Sequence, residues 1–139
     1  MKRYYTDGSA SPNPGPGGYA VICNSQPVAL GSEDGHTTNI RMEGRALIEA
    51  MKISGDEPCE IYTDSQFWIN VITVWAPGWE KKNWQKKGGE IKNLDLVKEA
   101  YEVYNQYHPK LVWVRGHVGE EGNELADAWA NKARLGERI

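Results

Sequence analysis

Hydrophobic and polar positions along this 139-residue chain change period several times. Residues 2 to 8 read as a strand, Tyr19 to Cys23 as a second one rich in β-formers, and Pro27 to Gly31 as the beginning of a weaker third. Between the first two, Ser11-Pro12-Asn13-Pro14-Gly15-Pro16-Gly17-Gly18 has turn chemistry that excludes a helix. This opening is an antiparallel meander. From Asn39 to about Ser54 the period lengthens, and Glu43, Leu47, Ala50 and Met51 fall on one helical stripe, which sets a glutamate among apolar residues. Glu60 to Thr63 is predicted as a fourth strand. Ser65 suits the N-cap of a helix whose apolar face is Trp68, Val71, Ile72 and Trp75, and Pro77-Gly78 is expected to break that helix. Asn93 then looks like the cap of another helix, with Val97, Ala100, Tyr101 and Tyr104 turned inward and Pro109 at its end. Leu111 to Val114 is the expected fifth strand, and a glycine-punctuated loop leads to a last helix from Asn123 to about Leu135. Strands alternating with helices after a meander imply parallel neighbours joined by crossovers. The expected fold is therefore α/β, a five-stranded mixed sheet flanked by helices, with residues 1–139 as a single domain.

Two strand ends echo each other, Tyr4-Tyr5-Thr6-Asp7-Gly8-Ser9 and Ile61-Tyr62-Thr63-Asp64-Ser65-Gln66. Parallel neighbours run about 4.8 Å apart, so matching levels would bring the carboxylates of Asp7 and Asp64 into one small volume. Like charges that close must take up a proton or share a cation. Hard oxygen donors without a cysteine or histidine cluster favour magnesium or manganese over zinc, and the chemistry such a site usually runs is phosphoryl transfer. Glu43 and Asp127 are the other two acidic groups of interest. Each has an ordinary reading: Glu43 as a glutamate favoured by the helix dipole, Asp64 as a helper of the Ser65 cap, Asp127 as a surface residue paired with Asn131 or Arg134. Asp7 has no such local partner, and aspartate is depleted in strands.

Composition is that of an ordinary globular chain, 40% hydrophobic and 25% charged. No apolar run approaches the roughly 20 residues of a membrane span, and the start carries no apolar signal segment, so a cytoplasmic protein is expected, with no membrane partner. Cys23 and Cys59 are isolated and read as buried, reduced thiols. A net charge of −3 argues at first against nucleic acid, yet four of the acids are the candidate ligands, and the rest of the chain is net positive by one. Between Trp79 and Lys92 five lysines (Lys81, Lys82, Lys86, Lys87, Lys92) face two glutamates, with Trp79 and Trp84 interleaved.

Five blocks, Tyr-Thr-Asp-Gly-Ser, Asn-Pro-Gly-Pro-Gly-Gly, Thr37-Thr38-Asn39-Ile40-Arg41-Met42-Glu43, Tyr-Thr-Asp-Ser-Gln, and Trp113-Val114-Arg115-Gly116-His117-Val118-Gly119 followed by Asn123-Glu124-Leu125-Ala126-Asp127, resemble type 1 ribonuclease H in order and spacing. The resemblance spans almost the whole chain. It implies the ribonuclease H-like fold, in which the first and fourth strands are parallel neighbours. It also implies a monomeric endonuclease, with no obligate protein partner, that cleaves the RNA strand of an RNA/DNA hybrid with two Mg²⁺ ions, Mn²⁺ being a substitute, and leaves 3′-hydroxyl and 5′-phosphate ends. Carried over residue by residue, Asp7 bridges both metals, Asp127 completes the one that activates water, and Glu43 with Asp64 holds the one on the leaving-group side. His117 resembles a loop histidine that helps proton transfer or product departure, a task suited to an imidazole titrating near neutrality. Asn13, Asn39 and Gln66 occupy positions that read 2′-hydroxyls across the minor groove, with backbone groups of Gly8 and Ser9 beside them.

One position departs from the family pattern: Ile40 stands where a second asparagine is common, leaving Thr38 to serve the nearby phosphate of the DNA strand. Lys81, Lys82, Lys86 and Lys87 resemble a basic protrusion that holds the hybrid, with Trp75 or Trp84 against DNA sugars. The ordinary reading of both tryptophans is core packing. Two alternatives remain: a hybrid-binding module that has lost catalysis, although all four carboxylates are present, and an integrase or transposase core, which shares the fold but normally carries a smaller acidic set and lacks the amides placed for 2′-hydroxyls. Cleavage of hybrid against DNA duplex, with and without magnesium, separates them. A phosphate-loop reading fails, because no lysine-serine/threonine pair or helix follows Gly15 to Gly18.

Overall fold

The computed structural model describes residues 1–115 and 121–139. Five strands, β1 (Lys2–Ala10), β2 (Gly15–Cys23), β3 (Gln26–Thr37), β4 (Cys59–Thr63) and β5 (Lys110–Trp113), form one sheet in the order β3-β2-β1-β4-β5. The first three pair antiparallel, while β1 with β4 and β4 with β5 run parallel. The mixed sheet expected from the sequence is the one observed. Helix α1 (Asn39–Ser54), a helical run built of α2 (Gln66–Asn70), a π-helical turn (Val71–Trp75) and α3 (Ala76–Lys81), and helix α4 (Leu94–Tyr107) cover one face; α5 (Glu121–Arg134) covers the other.

The larger core lies under α1 and α4, where Leu47, Ile48, Met51, Ile61, Trp68 and Ile72 are fully buried. Trp68 anchors it. Its indole Nε1 donates to the Ile40 carbonyl at 2.7 Å, so the largest buried side chain leaves no orphan donor. Truncation to alanine should cost about 3–5 kcal/mol. On the far face Ala126 and Ala130 pack on Ala20 and Ile22, and a Cβ added at Gly18 would stand 2.3 Å from the Arg134 amide nitrogen and 2.5 Å from the Ala130 carbonyl oxygen. Small residues thus let α5 sit directly on β2. Across the surface Arg41 grips Asp95 through two bonds of 3.0 and 2.7 Å, and Arg45 and Lys52 share Glu99, tying α1 to α4; exposed pairs of this kind are worth at most about 1 kcal/mol each.

Several boundaries differ from the sequence reading. β2 begins at Gly15, inside the stretch read as a turn, and β3, read as beginning over Pro27 to Gly31, runs twelve residues to Thr37. Pairing with β2 sustains β3 through polar residues that face outward at the sheet edge, a signal that hydrophobic alternation does not carry. Pro77 and Gly78 do not end the second helix. The π turn before them widens the ladder, with the Ala76 N–H donating to the Val71 carbonyl five residues back, and Pro77 enters α3 near its start, where it lacks no needed donor. That extra residue shifts the apolar stripe by one: Ala76 is fully buried, and Trp75, expected inward, is 42% exposed. Asn93 is not a side-chain cap; it adopts a left-handed conformation, and its Oδ1 accepts from Arg41. Tyr101 and Tyr104 are only half-buried, and Leu96 and Val103 join Val97 and Ala100 on the inward face. Cys23 and Cys59 are buried free thiols, as expected.

Candidate active site

The β1–β4 ladder stops at Tyr5 and Tyr62, and its register, continued by two residues, sets Asp7 level with Asp64. Beyond the last ladder pair the Thr6 hydroxyl donates to the Tyr62 carbonyl at 3.0 Å, holding the strands together just below the acids. Asp64 begins the turn into α2. The Ser65 N–H donates to Thr63 Oγ1 at 3.0 Å, the Val114 N–H to the Thr63 carbonyl at 2.9 Å, and the Trp113 indole to the Asp64 carbonyl at 3.2 Å. The turn is thus fixed from three sides.

Glu43 arrives from a different layer. A Cβ at Gly8 would lie 2.3 Å from the Met42 carbonyl carbon and 2.4 Å from the Glu43 nitrogen, so only glycine lets the first turns of α1 approach β1 this closely. The result is a cluster in which one carboxylate oxygen each from Asp7, Glu43 and Asp64 lies within 4.8 Å of the others. Asp127, projecting from α5, stands outside that set of three and joins it through a hydrogen bond with Asp7.

Burial decides the protonation of this cluster. Asp7 is 5% exposed, and desolvation, reinforced by Asp64, raises its carboxyl to about 9 despite the hydrogen bond donated by the Gly8 N–H to its Oδ1 at 2.9 Å. The contact with Asp127 acts in the same direction on Asp7. Glu43 is raised to about 7, first by burial and then by Asp64, with the Ser65 hydroxyl opposing the shift. Ser65 meanwhile caps α2 by accepting from the Trp68 N–H at 3.3 Å. Its cap role is legible in the sequence; its contact with Glu43, across 22 positions of chain, is not. A site that holds protons this tightly in water fits divalent cations, because hard ions supply the opposing charge that the all-oxygen donor set lacks.

The sequence matches the RNase H family model over residues 2–134. The chain belongs to the RNase H family. Among relatives of this RNase H, the Ribonuclease H of Helicobacter acinonychis (strain Sheeba) is 45% identical over 131 residues, covering 91% of this chain and 87% of that protein. The Ribonuclease H of Rickettsia bellii (strain RML369-C) is 42% identical over 135 residues, 94% of this chain and 86% of that protein. In structure, LC9-RNase H1, a type 1 RNase H with the type 2 active-site motif, superposes with a TM-score of 0.82 at 31% identity, covering 97% of this chain and 72% of that one. The resemblance to ribonuclease H read from the five blocks is borne out, and with it the assignment as an enzyme, a hydrolase of the ribonuclease H class.

The remaining candidates of this RNase H fall into two groups around the acids. Thr38 caps α1 by accepting from the Arg41 N–H at 3.1 Å. Asn39 Oδ1 accepts from the Ala10 N–H at 2.6 Å, and the Asn39 N–H donates to Asn13 Oδ1 at 3.2 Å, so these two amides brace the end of β1 against the start of α1. Gln66 is exposed at the first turn of α2, two residues from Asp64. Next to this end of α1 lies a groove of about 760 Å³ with an apolar floor, Ile40, Phe67, Val74 and Trp75 among its lining, and a rim that includes Lys82, Lys86 and Lys87. None of the four carboxylates lines it. Lys81 is exposed at the end of α3 but outside this lining. Trp84 turns away: positive φ at Asn83 and Trp84 (57° and 61°) folds the chain back, and the indole packs edge-on against Tyr101 at 5.9 Å beneath Lys98. The groove is therefore Trp75's, and Trp84 takes the packing role. His117 lies outside the described residues.

Proposed function

We propose that this RNase H hydrolyses the RNA strand of RNA/DNA hybrids, leaving 3′-hydroxyl and 5′-phosphate ends, as a single-domain monomer of the cytoplasm. The observation that carries the reading is the set of three carboxylates with oxygens mutually within 4.8 Å, joined by Asp127. Asp7, Glu43, Asp64 and Asp127 would hold two Mg²⁺ ions, with Mn²⁺ as a substitute. The chemistry these ions supply when bound is stabilisation of charge on the attacking and departing oxygens of the phosphodiester. The protein's share is to hold four acids in place: Gly8 sets the depth of Glu43, the Thr63–Ser65 turn aims Asp64, and Ser65 hydrogen-bonds Glu43. His117 is assigned to proton transfer or product departure from its place among the sequence blocks.

Substrate choice rests on the brace at the end of β1. Both amide oxygens of Asn13 and Asn39 already accept backbone N–H groups, so their Nδ2 donors are what a 2′-hydroxyl oxygen would meet, with Gln66 and the backbone of Gly8 and Ser9 alongside. The DNA strand would lie towards Thr38 and the groove, its sugars on Trp75 and its phosphates on Lys82, Lys86 and Lys87, with Lys81 adding charge behind them. A foamy viral protease-reverse transcriptase of the same fold, 21% identical, has been solved in complex with an RNA/DNA hybrid. Incubating labelled hybrid, RNA duplex and DNA duplex with the protein, with and without magnesium, tests the proposal. Cleavage of the RNA strand of the hybrid alone, and only with the metal, is expected; equal cleavage of DNA duplex, or none of hybrid, would overturn it.

A further inference from the structure

Three of the four acids are held by direct contacts from the elements around them. Asp127 is different, because the centre of the α5 contact with the sheet is made of small residues: Ala126, Ala130 and Ala133 are fully buried and the helix backbone rests on Gly18, while Leu125 and Trp129 pack at the flanks. A smooth interface of this kind permits close approach but gives few knobs to fix the helix along its own axis. Besides the contact of Asp127 with Asp7, a polar contact between α5 and β1 supplies that register. Ser9, two residues past Asp7 on β1, donates its hydroxyl to Asn131 Oδ1 at 3.1 Å. Asn131, one turn beyond Asp127, uses its Nδ2 to donate to the Asp127 carbonyl at 3.2 Å.

We infer that Asn131, locked by Ser9, is the positioning residue that holds Asp127 at the distance from Asp7 that cation binding needs. The two bonds use both halves of one amide, so its orientation is fixed from both sides. They also link the strand that carries Asp7 to the helix that carries Asp127 by a path of three residues. Asn131 touches no reacting atom. It acts through Asp127, and the inference rests on the hydrolytic reading above.

Asn131→Ala and Ser9→Ala, compared with the parent and with Asp127→Asn, test it by the magnesium concentration that gives half-maximal cleavage of a labelled hybrid, read beside the melting temperature. Loss of a group that orients a metal-holding side chain costs typically 10–100-fold in metal affinity or activity. Each single variant should therefore raise the half-activating magnesium concentration by about tenfold, Asn131→Ala with KM for the hybrid unchanged at saturating magnesium, and the double variant should add nothing further. A melting temperature lowered in Asn131→Ala with no change in magnesium demand in either variant would make the contact purely structural and overturn the inference. Should Asn131→Ala fail to fold, Ser9→Ala alone decides by the same criterion, since it keeps the backbone and every apolar contact of α5. Failure of the wider reading looks different: Asp127→Asn would then cleave hybrid like the parent.

Discussion

Two regions of this molecule meet along the helical run from Gln66 to Lys81 and are built in opposite ways. At its start lies the acidic cluster, whose members come from β1, α1, the β4–α2 turn and α5, far apart in sequence and brought together by close packing. At its end lies the groove with its lysine rim, assembled almost entirely from one stretch of chain, exposed, and shaped by local turns. The first is like-charged, centred on buried Asp7 with the other acids half-buried, and costly when empty; the second is apolar at its floor and basic at its edge. Chemistry here depends on long-range geometry, whereas the proposed grip depends on surface composition. Substitutions should separate the two regions cleanly.

The largest effect is expected at the buried end. Asp7→Asn should lower hybrid cleavage at least about 10³-fold, roughly 4 kcal/mol of transition-state stabilisation, with little change in hybrid affinity. The same change should stabilise the metal-free protein. Asp7 is raised from its ordinary 3.8 to about 9, so its neutral form contributes stability in full below about pH 4, and that contribution is lost as pH rises through about 9. Glu43, raised to about 7, adds the same trend over a narrower window. Metal-free parent protein should therefore melt progressively lower from pH 5 to pH 9, and Asp7→Asn should flatten much of that slope. At pH 8 a gain of at least about 3 °C, near what 1 kcal/mol is worth in a domain of this size, would be read by thermal denaturation; an identical slope in both proteins would break the contrast.

Next in size is Gly8→Ala. The added methyl meets helix backbone, which cannot rotate aside, so about 1–3 kcal/mol of stability should be lost and α1 displaced outward. Cleavage should fall about tenfold through Glu43. Denaturant titration beside single-turnover cleavage checks both, and unchanged cleavage would mean that the approach of α1 does not matter to the site.

At the other end, replacing Lys82, Lys86 and Lys87 by alanine should raise KM for the hybrid and leave the maximal rate nearly intact. The slope of log affinity against log salt should fall by up to ~0.9 for each phosphate that is no longer neutralised. A drop in maximal rate with an unchanged salt slope would place these lysines in the catalytic region instead. The smallest effect should come from Trp84→Phe, which keeps an aromatic ring against Tyr101; it should leave the salt slope alone and cost less than about 1.5 kcal/mol of stability.

The contrast also explains what the sequence could disclose. Asp7 and Asp64 were legible because both follow the same Tyr-Thr pattern on parallel strands, and pattern plus strand pairing fixes their level, although β1 continues past Asp7 to Ala10. Glu43 was legible because a charge on an apolar helical stripe conflicts with periodicity. What stayed hidden depends on how elements dock. The π turn that turns Trp75 outward has no composition signal, since Val71 to Trp75 would fit an ordinary helix equally well. The left-handed turn at Asn83 and Trp84 is marked in the sequence by Asn83 alone, since its second residue is a tryptophan where glycine would have advertised it. Asn131 is spaced four residues after Asp127, but only the packed structure shows that Ser9 reaches it. Asn13 and Asn39 could be named as reading residues, yet the role of their oxygens in bracing β1 to α1 appears only once both elements are in place.

Proton release on cation binding is the most direct test of the account, since a pocket that keeps Asp7 neutral must give up that proton when a divalent ion enters. Calorimetric titration of magnesium into the protein at pH 8, in two buffers of different ionisation enthalpy, counts those protons. With Asp7 raised to about 9 and Glu43 to about 7, about one proton should be released per site filled, and none from Asp7→Asn. Binding heats that are the same in both buffers, or no binding at all, would contradict the claim that the acids are gathered to hold metal.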